Sequence, residues 1–215
     1  LRNPTLRNYG KSSDPHVGGR TIFKYKRDFP NSSFSWDAGG EWQEGFSSVS
    51  IHRNVNGNPD SLQSHDEINN RQSFVFTQAS LDIFNWTVIA GASWNWLKIN
   101  FQRFTPITSG KQQRNFDNEI APRLAIMKKI GQFNVYSSIS KGFSPPTTTE
   151  LLPTGSALNI ELNAEKGINY DIGVKATLAK KIFLDVNAFL FSLDNTIVQR
   201  RDSGGGEFFI NAGKT

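Results

Sequence analysis

The sequence predicts an all-β protein built from antiparallel strands, and three observations support this prediction. Apolar and polar residues alternate with a period of two through most of the chain, whereas the 3.6-residue period of amphipathic helices is nearly absent. Tight connections alternate with long polar ones along the sequence. No stretch approaches the roughly 18 consecutive apolar residues that a membrane-spanning helix requires.

The alternation predicts about nine strands. In the strand predicted at 168–178, Ile172 and Val174 lie on one face, and Asp171 and Lys175 lie on the other, because successive side chains of a strand point to opposite sides. Two runs, 86–101 and 182–198, are longer than soluble strands and suit a tilted membrane strand of about nine to eleven residues. The predicted strands are 21–27, 34–42, 74–84, 86–96, 123–130, 133–143, 168–178, 182–190 and a truncated one at 208–213.

The connections differ in length at the two ends of the predicted strands. Tight joins are expected at Phe84-Asn85, Gly131 and Lys180. The other connections are longer and rich in Asn, Asp, Gly, Ser and Pro, the residues that turn and solvate a chain. Short turns at one end and long loops at the other are typical of outer-membrane barrels. The segments predicted as loops are 47–72, 105–119, 144–167 and 201–206, and His16, His52 and His65 are expected in loops or at their edges.

Composition excludes several classes of protein. The net charge is +5, but Lys and Arg are spread along the whole chain, whereas nucleic-acid-binding proteins concentrate them in a patch. We therefore expect no nucleic-acid partner. Aromatic residues make up 12% of the chain, which is too many for a disordered protein. The chain has no cysteine, so disulfides and thiolate metal sites are excluded.

Four motifs follow one another between Ala121 and Gly173. They read Ala-Pro-Arg-Leu-Ala-Ile126, Tyr-Ser-Ser-Ile-Ser-Lys-Gly-Phe-Ser-Pro-Pro146, Asn-Ala-Glu165 and Tyr-Asp-Ile-Gly173. Their order and spacing resemble the barrel of a TonB-dependent outer-membrane receptor. The resemblance extends from about residue 34 to the end of the chain. It departs from the family pattern at Ala164, where proline is common, and at Ser144, where arginine or lysine is frequent.

The resemblance implies a roughly 22-stranded transmembrane barrel with a plugged lumen in the bacterial cell outer membrane. Family members import scarce nutrients such as ferric siderophores, haem, cobalamin or glycans, and the inner-membrane TonB complex drives the import. Residues 1–215 are then the central part of such a barrel: a segment of about nine antiparallel strands with short periplasmic turns and long extracellular loops. The plug domain and the closing C-terminal strand are expected outside this chain. The implied partners are outer-membrane lipid, the TonB complex through the plug region, and a small-molecule nutrient such as a ferric siderophore.

The sequence shows no catalytic constellation, so we expect no enzyme and no cofactor. The run His65-Asp66-Glu67 has metal-ligand residue types, but neighbours in an extended chain point in different directions and no second ligand cluster has suitable spacing, so no metal site is expected. Arg123 and Lys141 each lie in a motif of the resemblance. We expect both to project into the lumen, away from lipid-facing neighbours such as Leu124, because a charge facing lipid costs about 2–4 kcal/mol. There they contact the plug or an anionic substrate, or else pair with a charge on a neighbouring strand.

Two other interpretations stay open at this point. One is a soluble β-sandwich or small closed β-barrel that acts as a binding module. The other is a complete barrel of about eight strands with a passive or adhesive role. If the receptor interpretation is right, this segment does not transport anything by itself, because its two unpaired strand edges cannot be sustained in hydrocarbon.

Overall fold

The computed structural model describes residues 8–151, 159, 161–178, 181–201, 203 and 207–215. This part of the chain contains 12 strands and one four-residue helix, α1 (Thr148–Leu151). None of its helices is long and apolar enough to cross a membrane. The strands are β1 (Asn8–Ser13), β2 (His16–Phe29), β3 (Ser32–Val55), β4 (Asn58–Ile83), β5 (Trp86–Thr105), β6 (Gln112–Asn115), β7 (Glu119–Ile130), β8 (Phe133–Ser144), β9 (Glu165–Leu178), β10 (Ile182–Asp194), β11 (Ile197–Arg201) and β12 (Glu207–Asn211).

Ten of these strands form one open sheet. Its order is β1-β3-β4-β5-β7-β8-β9-β10, with β2 also paired to β3 and β6 also paired to β5. The sheet has two ends and does not close on itself within the described residues, and the side chains of β2 are exposed along the whole strand. The all-β, antiparallel prediction is confirmed. The soluble-sandwich and small-closed-barrel interpretations are wrong, because one continuous open sheet matches neither.

All nine predicted strands exist, but the prediction of a loop at 47–72 is wrong. Strand β3 continues to Val55 and β4 begins at Asn58, so a single long hairpin replaces the loop. Its turn is Asn56-Gly57, with φ of 51° and 84° at the two positions. The favoured two-residue hairpin turn requires positive φ at both positions, and Asn-Gly supplies it at low cost. His52 and His65 therefore lie within strands rather than in a loop.

The run predicted as one strand at 182–198 is also interrupted. Strand β10 ends at Asp194 and β11 begins at Ile197. Asn195 between them has a φ of 59°, a left-handed conformation that asparagine tolerates better than most residues and that ends the extended chain. Strand β11 pairs with β12 in a separate two-stranded sheet instead of continuing the main one. The short strands β1, β6 and β11 have no counterpart among the predicted strands.

Tight turns connect one set of strand ends. Two-residue turns join β4 to β5 at Phe84-Asn85 and β7 to β8 at Gly131-Gln132, as predicted, and another joins β2 to β3 at Pro30-Asn31. The predicted join at Lys180 lies outside the described residues. The connections from β5 to β7 and from β8 to β9 are long. The predicted alternation of short and long connections is confirmed here, and β3–β4 is the exception.

The chain divides into two compact units: unit one comprises 1–19, 42–73 and 96–117, and unit two comprises 20–41, 74–95 and 118–215. In unit two, large apolar side chains stand exposed on the face that carries Ile172 of β9, at 58%, and Val186 of β10, at 57%; the end strand β10 also exposes Phe183, Phe189 and Phe191 on its other face. In unit one, Ile68, Leu97, Ile99 and Phe101 are buried and form a core, while other apolar side chains such as Phe46 stay exposed. A sheet face that contacts lipid exposes its apolar side chains, whereas a segment that is surrounded by water buries its apolar side chains in a core.

Candidate functional site

Arg123 lies on the polar face of the sheet in unit two. It stands opposite Gly91 of β5 and Ser140 of β8. Its neighbour Leu124 stands opposite Ile139. Because residues directly opposite each other share a face, Arg123, Gly91 and Ser140 define a polar face, and Leu124 and Ile139 belong to the apolar face. Small residues on both sides of Arg123 leave its exposed guanidinium group room to reach a ligand.

A cavity of about 410 Å³ opens on this polar face beside Arg123. Such a volume lies within the range of about 300–1,000 Å³ that is usual for small-molecule sites. Its lining combines two cations with hydroxyl, amide and aromatic groups. The polar groups are contributed by Thr87, Arg123, Tyr136, Ser137, Ser138, Asp171, Lys175 and Asn187, and the rest of the lining is apolar.

Tyr136 organises one side of the cavity. Asn187 donates a hydrogen bond from Nδ2 to the Tyr136 hydroxyl over 3.1 Å. The ring lies across the backbone of Gly173, which stands opposite Tyr136 in the neighbouring strand. Lys175 places its Nζ 5.6 Å from the ring centroid and 3.3 Å from a carboxylate oxygen of Asp185. Tyr136 thus ties β8 to β9 and β10.

The charges of the cavity are not equally compensated. The carboxylate of Asp171 accepts hydrogen bonds from Ser138, over 3.1 Å, and from Asn169. Arg123, by contrast, makes no side-chain hydrogen bond or ion pair with any residue that the structure describes. An exposed guanidinium with five unused donors is suited to bidentate binding of a carboxylate or similar anion. The polar face can therefore accept an anionic group at Arg123.

Lys141 is not brought together with Arg123. It stands opposite Ile168 in the register of β8 and β9, and Ile168 belongs to the apolar face. The half-buried Lys141 side chain places Nζ 3.6 Å from an oxygen of Glu119. Glu119 also forms an ion pair with Lys166, and its side chain is only 9% exposed. Lys141 thus pairs with a charge on the neighbouring strand β7, which is one of the alternatives that the sequence left open, and any contact of Lys141 with a plug or substrate stays a prediction.

Glu119 was missed by reasoning from the sequence. In the sequence, Glu119 marks only the end of a polar segment. In the structure, its carboxylate joins lysines of β8 and β9 to the beginning of β7. Asn95 donates a hydrogen bond to the Glu119 carbonyl oxygen over 3.1 Å, which fixes the backbone at this point. No sequence signal could have found this cluster, because its members come from three strands.

Unit one holds a second charged cluster. Asp66, buried in its side chain to 7% exposure, accepts hydrogen bonds from Arg103 Nε at 2.7 Å and Nη2 at 3.0 Å. The hydrogen bond to Asp66 raises the pKa of Arg103 above its ordinary value, against the opposing effect of burial. His65 turns elsewhere and lies 2.9 Å from the Ser50 hydroxyl. The neighbours His65 and Asp66 therefore do not converge, and the described residues contain no group of three His, Asp or Glu that could hold a metal ion.

The fold resembles solved receptor structures. The ferric-catecholate import receptor Fiu from E. coli K12 gives a TM-score of 0.70 at 14% identity, covering 94% of this chain and 34% of that chain. A double mutant of the hemophore receptor HasR from Serratia marcescens gives 0.73 at 16% identity, with 96% and 38% covered. The siderophore receptor PiuA from Acinetobacter baumannii gives 0.70 at 13% identity, with 95% and 34% covered. At such identities the likeness shows the fold alone, and the chain spans little more than a third of each of these proteins.

No curated protein sequence matches the chain. The family model described as TonB dependent receptor-like, beta-barrel, matches residues 2–215, which is nearly the whole chain. With the open antiparallel sheet, this match is decisive. The chain belongs to the TonB-dependent receptor-like β-barrel family, and it is a barrel portion of an outer-membrane protein.

Proposed function

We propose that this chain is the central part of the barrel of an outer-membrane receptor that imports a scarce nutrient, such as a ferric siderophore, with energy from the TonB complex. The observation that carries the proposal is the open sheet, in which β9 places its large apolar side chains on one face and its polar side chains on the other, in a chain of this family. The similar structures include a ferric-catecholate import receptor, a siderophore receptor and a hemophore receptor. They support iron acquisition as the first substrate class to test.

The two faces of unit two define how such a receptor is built. The apolar face, with Ile172 and Val186 exposed, contacts lipid, and the polar face with Arg123 lines a water-filled lumen. Each backbone group left unpaired in hydrocarbon costs several kcal/mol, so the edges at β2 and β10 need further strands. About a third of each similar receptor is covered by this chain, which leaves room for those strands and for a plug domain.

Arg123 supplies the proposed contact of the polar face with an anionic group. Its donors are unused among the described residues, and the cavity beside it also offers hydroxyl and amide groups. The anionic group belongs to the plug or to a passing substrate. No covalent chemistry is assigned to the chain: the receptor binds and releases its cargo, and the TonB complex supplies the work.

The short turns at Phe84-Asn85 and Gly131-Gln132 are proposed to face the periplasm. The long hairpin around Asn56-Gly57 and the connection between β8 and β9 are proposed to face the cell exterior. Short periplasmic turns and long external connections are the rule in outer-membrane barrels.

Uptake by the full-length receptor tests the proposal. The receptor is expressed in a bacterial strain that lacks its own ferric-siderophore receptors, and entry of radioactive iron is measured with a panel of catecholate, hydroxamate and carboxylate siderophores and with haem. We expect uptake of at least one complex, and loss of that uptake when TonB is deleted. Uptake that persists without TonB, or no uptake of any complex by a receptor that is folded in the outer membrane, would contradict the proposal.

A further inference from the structure

Unit one contains a cavity that the proposed transport site does not use. Its volume is about 390 Å³, which is enough for a small-molecule ligand. The residues around it come from the beginning of the chain, from both strands of the long hairpin, and from β5 with the segment that follows it. The polar and aromatic residues of the lining are Ser13, Phe46, Ser47, Ser48, Glu67, Asn69, Asn100, Phe101, Gln102 and Lys111.

The three amides of this cavity share the face of unit one that is turned away from its core. On β5, Asn100 and Gln102 alternate with the buried residues Ile99 and Phe101. On β4, Asn69 follows the buried Ile68. Because side chains alternate between the two faces of a strand, the amides point away from the core of unit one. The cavity is therefore accessible to a ligand from outside.

The lining is almost neutral in charge. It has one cation, Lys111, and one anion, Glu67. An anionic ligand would be favoured by an excess of cationic groups, which is absent from this lining. Uncharged hydrogen-bonding groups predominate instead, with three serines and three amides. The chemistry of the cavity therefore favours a neutral, polar ligand.

The amides are partly held in place and partly unused. Asn100 donates a hydrogen bond to Asn69 over 3.4 Å, and Asn69 donates one to Glu44 over 2.9 Å. This chain of hydrogen bonds orients the amides before a ligand binds. The amide of Gln102 makes no hydrogen bond with the part of the chain that is described, and the same is true of the Asn100 side-chain oxygen. Together they present both donors and acceptors to the cavity.

An aromatic surface completes the cavity. The side chain of Phe46 is 47% exposed, although a large apolar group in water is unfavourable without a partner. A sugar ring has an apolar C–H face that packs on an aromatic ring, and its hydroxyl groups donate and accept hydrogen bonds at the rim, as amides do. From the neutral lining, the oriented amides and the exposed ring, we infer that this cavity binds a neutral saccharide. Its lining shares no residue with the Arg123 site, and it would serve attachment of a glycan to the receptor rather than passage of cargo.

This inference rests on the proposed function only in placing the hairpin outside the cell. The saccharide is then either free in the medium or carried by a lipid of the outer leaflet, and both present the same chemistry. Binding of the full-length receptor in nanodiscs is measured in three arms. The first arm uses free neutral oligomers of hexose and N-acetylhexosamine, and the second uses sulfated forms of the same oligomers. The third arm uses nanodiscs that contain neutral glycolipids with the same sugars.

We expect at least one neutral glycan to bind, and its sulfated form to bind no more tightly. Gln102→Leu and Phe46→Ala should each weaken binding about tenfold, the effect of losing one good hydrogen bond or packing contact. Gln112→Leu is the matched control, since Gln112 is an exposed amide of unit one outside the lining, and it should bind like the unchanged receptor. Binding of the receptor to the free oligomers would show that the saccharide is a soluble one. Binding of the receptor only to the glycolipid nanodiscs would show that the saccharide is carried by a membrane lipid. Either result supports the inference.

Three results would overturn it: no binding in any arm, tighter binding of the sulfated forms, or equal loss of binding in Gln112→Leu. Heat-modifiable gel mobility shows that each variant is folded. Radioactive-iron uptake should stay unchanged in Gln102→Leu, so that failure of the saccharide site is distinguished from failure of the transport proposal.

Discussion

The ring of Tyr136 packs against the backbone of Gly173 so closely that a β-carbon at position 173 would lie 2.4 Å from it. The two residues stand opposite each other in β8 and β9, on the polar face that also carries Arg123. Glycine is therefore required here by the space that the ring occupies. Its place in the motif Tyr-Asp-Ile-Gly173 has a steric explanation.

Gly173→Ala should destabilise the folded receptor by about 1–3 kcal/mol, because the added methyl group forces the Tyr136 ring to move. Gly142→Ala is the control, since nothing lies within 4 Å of a β-carbon at that position. Thermal unfolding of the full-length receptor in detergent, followed by the loss of heat-modifiable gel mobility, measures the difference. Equal midpoints for the two variants would show that the ring is not fixed against Gly173.

Val174→Arg should impair assembly in the outer membrane, whereas Thr177→Arg should be tolerated. Val174 stands opposite Val135 and Val186 on the apolar face, where an arginine near the membrane midplane costs about 2–4 kcal/mol. Thr177 has the opposite parity in the same strand. The amount of folded receptor in outer-membrane fractions gives the comparison, and equal amounts of the two variants would argue against lipid contact of this face.

The sidedness of the sheet can be measured by labelling on whole cells. Ser64→Cys lies in the long hairpin and should react with an impermeant maleimide, whereas Gln132→Cys lies in a short turn and should not. The chain has no cysteine of its own, so the background is set by the rest of the receptor and is controlled with the unchanged protein. The reverse pattern of labelling would invert the proposed orientation.

Arg123→Glu should reduce the initial rate of uptake by the full-length receptor at least tenfold without loss of folded protein. The guanidinium, which has no ion pair with any residue that the structure describes, is replaced by a carboxylate that repels the proposed anionic group. Lys129→Glu is the matched control, because Lys129 is an exposed cation with the same parity in β7 as Arg123. Uptake reduced equally in both variants would indicate a general effect of charge on the lumen and not a contact of Arg123.

The strands of unit two could be predicted from the sequence because each has one apolar and one polar face. The extension of the hairpin could not be predicted by the same signal, since the strands near its tip are polar on both faces and read as a loop. Asn56-Gly57 is nevertheless a turn signal that could have indicated the hairpin, but the flanking strands lack the apolar alternation that would have drawn attention to it. The end of β10 at Asn195 was missed for a similar reason, because the apolar alternation continues past Asn195 in the sequence.

The candidate site was only partly predictable. The face of Arg123 follows from its position beside Leu124, but the surroundings of Lys141 depend on how β7, β8 and β9 are aligned, which alternation within one strand does not reveal. The ion pair of Asp66 and Arg103 was not predictable either, because it joins residues that are 37 positions apart and come together only through the alignment of β4 and β5. The cavity with Gln102 and Phe46 depends on five separate segments and has no signature in the sequence.

The central claim is that this chain is an open part of a larger membrane barrel, and sedimentation of the isolated chain tests it most directly. With edges open at β2 and β10 and an apolar face exposed, the chain in water should associate or aggregate rather than sediment as a single folded species. A folded, water-soluble monomer with a closed sheet would contradict the claim, because neither the open edges nor the exposed Ile172 and Val186 are compatible with such a particle.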